Sequence, residues 1–410
     1  MAMSPADKSY VTGNATIMVF VMALSGILVG PSFPADRENT STVGPPWFSQ
    51  TITAAETAIS RLKQIPTSQG NVDDVALLVK KTCNELDAAD NRLGRKLRRP
   101  GSAKSIRLLK VRRSQIAYLR AELYHAAGMS LGAENESRRV YLTSAISKYR
   151  YLRIKYMDFP LGWMGHLGEA RTHRALGEQE KAYKALAPIL RIRPTRDDGA
   201  AAELLRTAKV ESLEIYLMGD PLKAIEEAEA WGENGSPALK PIWRARVDWI
   251  LARAWAKRAE GLKTAGDADV KDAIAKSAGL VRGEAVRESI PFHARMALLR
   301  RLDALGEEGI MSRAELVQCG RALIAVDPPE AVSCYRRAEA IPPGLNPSEY
   351  YTLAVLLWKS GDPSGTADAC DALLKKAKRN DPHRGGAIQL RAAAMLRSYR
   401  TAGEGKISPN

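Results

Sequence analysis

The densest chemistry in this chain is electrostatic. From Arg92 to Arg113 ten side chains are basic (Arg92, Arg95, Lys96, Arg98, Arg99, Lys104, Arg107, Lys110, Arg112 and Arg113) and none is acidic. Such a run can neutralise phosphates of a nucleic acid, each contact adding salt dependence. It can also dock on anionic lipid headgroups, at about 1 kcal/mol per basic residue near the surface. A third reading is a solvated helix–turn–helix surface with Leu97, Ile106, Leu109 and Val111 turned inward. The run holds no aromatic side chain on which bases would stack, which argues against single-strand binding.

A second cluster combines bases with aromatics: Tyr149, Arg150, Tyr151, Arg153, Lys155 and Tyr156. Tyr and Arg are favoured hot-spot types in a peptide-binding groove, so Tyr149 and Arg153 are candidate partner contacts. Tyrosines at this spacing also serve as packing between helices, with their hydroxyls wet. The histidines His125, His166, His173, His293 and His383 are scattered, and His166 and His173 stand seven apart, too far to share a metal as an i, i+4 pair would. HExxH, GxSxG, P-loop and GxGxxG motifs are all lacking. Cys83, Cys319, Cys334 and Cys370 form no C-x-x-C pair, which leaves buried thiols or, in an oxidising compartment, a Cys319–Cys334 bridge. The expectation is a non-catalytic protein with no cofactor, no metal and no small-molecule substrate.

The elements that must position these side chains are helical. The 410 residues are 45% apolar with only 5 Phe, and β-branched alternation is lacking after the first 30 residues. The net charge of +15 and pI near 9.6 select anionic partners and say nothing of fold. Residues 15–30 are apolar and uncharged, and sixteen residues rise about 24 Å as a helix, short of the ~30 Å hydrocarbon core. That length suits an export signal or an N-terminal membrane anchor. Residues 31–50 carry Pro31, Pro34, Pro45 and Pro46 among Ser and Thr and read as a linker. Helical periodicity then predicts helices over 51–64, 73–98, 104–128 and 135–157, and later over 240–260, 267–280, 283–305 and 384–400, the last as a polar-faced cap.

Between these lies the most regular stretch, Trp163–Pro194. Gly177 ends one helix where φ > 0 is needed, and Ala182, Leu186 and Ile189 line one side of the next at i, i+4, i+7 before Pro194 stops it. Pro188 interrupts that helix's donor series. The spacing of Gly177, Ala182, Leu186, Ile189 and Pro194 resembles a tetratricopeptide repeat. It recurs as Gly219, Ala224, Ala228 and Trp231, as Ala331, Tyr335, Ala338 and Pro343, and as Gly361, Thr366, Cys370 and Leu373. Ala182 to Ala224 is 42 residues and Ala331 to Thr366 is 35, against about 34 for the family.

The resemblance implies an all-α fold, a right-handed superhelical array of antiparallel helix pairs that presents a concave face to a protein or peptide. It also implies that the first helices line that face, which makes Trp163, His166, Glu169, Arg171 and His173 candidate groove residues. The organisation expected is a signal or anchor over 1–35, a linker over 36–50, a basic helical region over 51–130 and repeats over 131–310. Further repeats and a capping helix follow over 311–410. The function expected is a protein-interaction scaffold of the bacterial cell envelope. The alternative is nucleic-acid or anionic-membrane binding through 92–113.

Overall fold

The structure, a computed structural model, describes residues 45–65, 71–99, 101–194, 199–235, 237–306 and 309–404. The apolar segment 15–30, the signal or anchor expected there and most of the linker lie outside them. Among the described residues there are seventeen helices and no strand. They are α1 (Pro46–Gln64), α2 (Val72–Leu97), α3 (Ala103–Ser130), α4 (Glu136–Lys155), α5 (Pro160–Ala175), α6 (Gln179–Leu190), α7 (Ala200–Gly219), α8 (Pro221–Asn234) and α9 (Pro241–Ala265). Then come α10 (Val270–Arg282), α11 (Glu284–Ser289), α12 (Phe292–Leu305), α13 (Arg313–Leu323), α14 (Pro328–Ala340), α15 (Pro347–Lys359), α16 (Pro363–Lys376) and α17 (Arg384–Glu404). Consecutive helices pack on each other, the pattern of an α-solenoid. The chain divides into two units, Met1–Arg258 and Ala259–Asn410, with the division falling inside α9.

In the first unit α1, α2 and α3 enclose one core, in which Phe48, Leu62, Leu86, Leu93, Ile116 and Leu123 are buried. The opposite side of α3 enters a second core with α4 to α7, around Tyr149, Leu152, Leu167, Leu186 and Ile189. Full burial of each such aliphatic side chain contributes about 1.5–3 kcal/mol. Gly177 takes φ 78° and turns α5 into α6, and Ala182, Leu186 and Ile189 are wholly buried behind it. Pro188 sits in the last turn of α6 on the exposed side, away from the core that Ala182, Leu186 and Ile189 enter.

In the second unit the same rhythm returns. Gly361 takes φ 78° between α15 and α16, ahead of the buried Thr366, Cys370 and Leu373. Ala331, Tyr335 and Ala338 are buried on α14, whose first turn is capped by the Asp327 side chain. Cys319 on α13 and Cys334 on α14 are buried thiols rather than a bridge. Cys334 donates to Cys319, which pulls the Cys319 thiol down and pushes the Cys334 thiol up.

Four expectations need correction. The first helix begins at Pro46, not near Thr51, because proline suits the first helical turn and Phe48 has a core to enter; residues 46–50 therefore leave the linker. Gly219, which holds the place of Gly177 in the recurring spacing, does not share its left-handed turn. It is the last residue of α7, and Asp220 makes the turn and caps α8 by accepting from the Lys223 amide. The helix expected over 283–305 is broken between α11 and α12 at Ile290-Pro291, where the proline ring disfavours helical backbone before it. The last helix is not polar-faced, since Ile388, Met395, Leu396 and Tyr399 are exposed opposite the buried Ala387 and Ala394.

Candidate functional site

In the first unit α3, α5, α7 and α9 are the leading helices of successive pairs, and polar side chains tie each to the next. His125 Nδ1 on α3 lies 3.0 Å from Thr172 Oγ1 on α5. The Thr172 hydroxyl donates to the Gly168 carbonyl at 2.7 Å, so the proton between the two side chains belongs to His125 Nδ1. On either side of Thr172, Arg171 and Arg174 reach Glu211 on α7 at 3.1 and 2.6 Å. Arg253 on α9 reaches Glu214 on α7 at 3.0 Å, and Lys257 donates to the Leu217 and Met218 carbonyls that end α7. Glu122 on α3 accepts from Tyr149 at 2.5 Å and lies 3.5 Å from Lys63 on α1.

These groups are largely enclosed, the carboxylates more so than the cations. Side-chain exposure runs from 7% at Glu211 through 14% at Glu122 and 18% at Arg171 to 29% at Arg174. Burial would raise the Glu122 carboxyl, but Lys63, His125 when charged and the Tyr149 hydroxyl override it and hold the group at about 2. Burial pushes His125 down to about 4, with Glu122 opposing and Lys63, Arg171 and Arg174 adding to the fall. Burial works against the charge on Arg171 and Arg174, and Glu211 outweighs it, so both are held protonated. Arg246, over the Trp243 ring at 5.2 Å, is pushed down by burial and by Arg171. Among the described residues these ion pairs bring four cations, Lys63, Arg171, Arg174 and Arg253, to the three carboxylates Glu122, Glu211 and Glu214, and Arg246 adds its charge beside them. The layer is a cationic strip held rigid by its own ion pairs.

The seven residues singled out for partner contact divide. Arg171 lies in this strip, and Tyr149 supports it through Glu122. Glu169 is buried and bonded to Arg150 and Arg153 of α4, so Arg153 is turned onto the α4–α5 contact. His173 is buried and 2.6 Å from Glu178 at the start of α6. His166 meets the Ala185 carbonyl of α6 at 3.0 Å, and Trp163 lies against the His166 ring. Trp163, His166, Glu169, His173 and Arg153 thus join α5 to α4 and α6. Gly162, Gly165 and Gly168 let α4 come close: a Cβ on Gly168 would stand 2.1 Å from the Tyr149 ring. Glu122, His125, Arg174, Glu211, Glu214 and Arg253 were not singled out by sequence, because each is an isolated charge whose partner lies on another helix.

The basic run forms a ridge where α2 meets α3. Arg95, Lys96, Arg98, Arg99, Lys104, Arg107 and Lys110 are exposed and, among the described residues, have no carboxylate in ion-pair range. Arg113 is paired with Asp90 at 2.6 Å, and Arg112 lies over the Phe48 ring at 5.6 Å. Leu97, Ile106, Leu109 and Val111 are half-buried beneath.

Among the described residues no group of three His, Cys, Asp or Glu could hold a metal ion, and no helix is long and apolar enough to cross a membrane. No known protein family matches the chain, and no curated protein is similar to it.

Proposed function

We propose that the chain is a non-catalytic scaffold that holds a protein or peptide against the leading helices of its first unit. The observation that carries this is the cationic strip along α3, α5, α7 and α9. It combines fixed charge, partial water access and an excess of cations over carboxylates. A surface of this sign favours a segment rich in Asp and Glu, which gains charge-assisted hydrogen bonds where the strip's own carboxylates fall short. Together with the turn-and-core spacing at Gly177 and Gly361, the stacking of helix pairs supports a divergent tetratricopeptide-type array, whose right-handed superhelix would make this strip concave. The apolar sequence 15–30 supports export or anchoring at a bacterial cell envelope, with the helical body outside the cytoplasmic membrane.

The test is charge selectivity. Full-length protein is titrated with acidic, neutral and basic peptides of equal length. Acidic peptides are expected to bind, and Arg246→Glu to weaken them about tenfold, the equivalent of about 1.4 kcal/mol. Replacing Arg95, Arg98, Arg99 and Lys104 by serine should leave the binding in place. Equal binding of the three peptide classes, or loss only in the ridge variant, contradicts the assignment to this strip.

A further inference from the structure

The ridge at the α2–α3 elbow is separate from that strip, and the place where the chain enters the fold bears on what it faces. Arg95, Arg98, Arg99, Lys104, Arg107 and Lys110 stand exposed without acidic partners among the described residues. Cations held together in this way repel one another until a polyanion spreads counter-charge across all of them. Arg92, Arg95 and Arg98 also share a concavity of about 750 Å³ whose single carboxylate, Asp90, is already paired with Arg113. That volume accepts a phosphate group among several guanidinium groups, the geometry these side chains favour.

The second observation is the seat of α1. The Trp47 ring lies under Arg92 at 5.4 Å and Lys96 at 6.0 Å, and Phe48 lies under Arg112. Residue 45, the first one described, therefore sits beside the ridge. In sequence, fourteen residues (31–44) separate it from the uncharged apolar run 15–30, a span of at most about 50 Å. A single short apolar segment gives marginal membrane attachment, and a polybasic patch beside it supplies the second signal that makes attachment stable.

We propose that this ridge docks on the anionic phospholipid surface of the bilayer that receives residues 15–30. Arg92, Arg95 and Arg98 take lipid phosphates in the concavity, and Lys104, Arg107 and Lys110 extend the contact along α3. Leu108, 45% exposed beside Arg107, meets the interfacial region. Nucleic acid fits less well, because the ridge's aromatics, Trp47 and Phe48, are covered by its own cations and offer bases no open ring.

The experiment measures partition of the full chain between phosphatidylcholine vesicles and vesicles carrying about 30 mol% phosphatidylglycerol, with salt raised from about 50 to about 300 mM. The expected result is at least about a tenfold preference for the anionic vesicles at low salt, lost at high salt. R95S/R98S/R99S/K104S should bind both vesicle types equally, keeping the residual attachment due to 15–30 and an unchanged circular dichroism melting curve. A preference unchanged in that variant, or equal binding by the wild type, overturns the proposal. So does displacement of the wild type from anionic vesicles by RNA at equal phosphate concentration. Acidic-peptide binding is measured on the same variant, so failure at the ridge and failure at the leading-helix strip read out separately.

Discussion

Glu122 and His125 stand nearly one turn apart on α3, and acid acts on both in the same direction. His125 is pushed down to about 4 in the fold from an ordinary value of 6.5, so between those values the unfolded chain binds more protons and stability rises with pH. Glu122 is held at about 2 against an ordinary 4.5, so its contribution is present above 4.5 and is lost as pH falls through 2. Urea unfolding is therefore expected to show on the order of 5 kcal/mol less stability at pH 3 than at pH 7, about 3 from His125 and about 2 from Glu122. His125→Gln should flatten the dependence between about pH 6.5 and 4, and Glu122→Gln between about 4.5 and 2. Identical pH profiles for wild type and both variants would show that neither group is perturbed. No sequence pattern pointed to these two residues. Their values are set by burial and by neighbours that include Lys63 and Arg171 on α1 and α5, which lie 46 or more positions away in the chain.

At the scale of elements, two glycines on α5 and after it do different work. Gly168 faces the Tyr149 ring at a distance no Cβ can share, so Gly168→Ala must push α4 away from α5 at a cost of about 1–3 kcal/mol. Gly177 has open space around it and a left-handed backbone, so Gly177→Ala should cost only about 1 kcal/mol, through conformation alone. Thermal melting of the two variants checks the ordering, and a larger loss at Gly177 would reverse the assignment. Gly177 and the α6 face were legible in the sequence because a turn residue followed by i, i+4, i+7 burial is a one-helix pattern. The leading helices were not. α5 and α7 are enclosed on several sides, so Glu169, Arg206 and Glu211 lie buried, with polar partners drawn largely from other segments and no polar face to announce them. Trp163 and His166 were read as groove residues for the same reason: sequence gives a helix its periodicity, and neighbours decide which side is inner.

On the scale of the molecule, helices that pack mainly on their sequence neighbours make stability a sum of local terms. Leu353, wholly buried on α15, is expected to cost about 2–5 kcal/mol when replaced by alanine. Hydrogen exchange should then quicken in α13 to α16 and stay unchanged in α3 to α7. Quickening spread evenly over both units would mean that they unfold as one. The all-helical architecture was readable from composition and periodicity, because those signals accumulate over hundreds of residues. The strip was not, because its ion pairs between α5, α7 and α9 join residues 37 to 40 apart, a separation fixed by how successive pairs stack. The claim that this strip is the docking face is tested most directly by placing a photoreactive amino acid at position 246 of the full chain and irradiating living cells. A discrete protein adduct, missing when the same group stands at the exposed position 180 of α6, is the predicted result. Adducts to nucleic acid alone, or the same adducts from both positions, would contradict it.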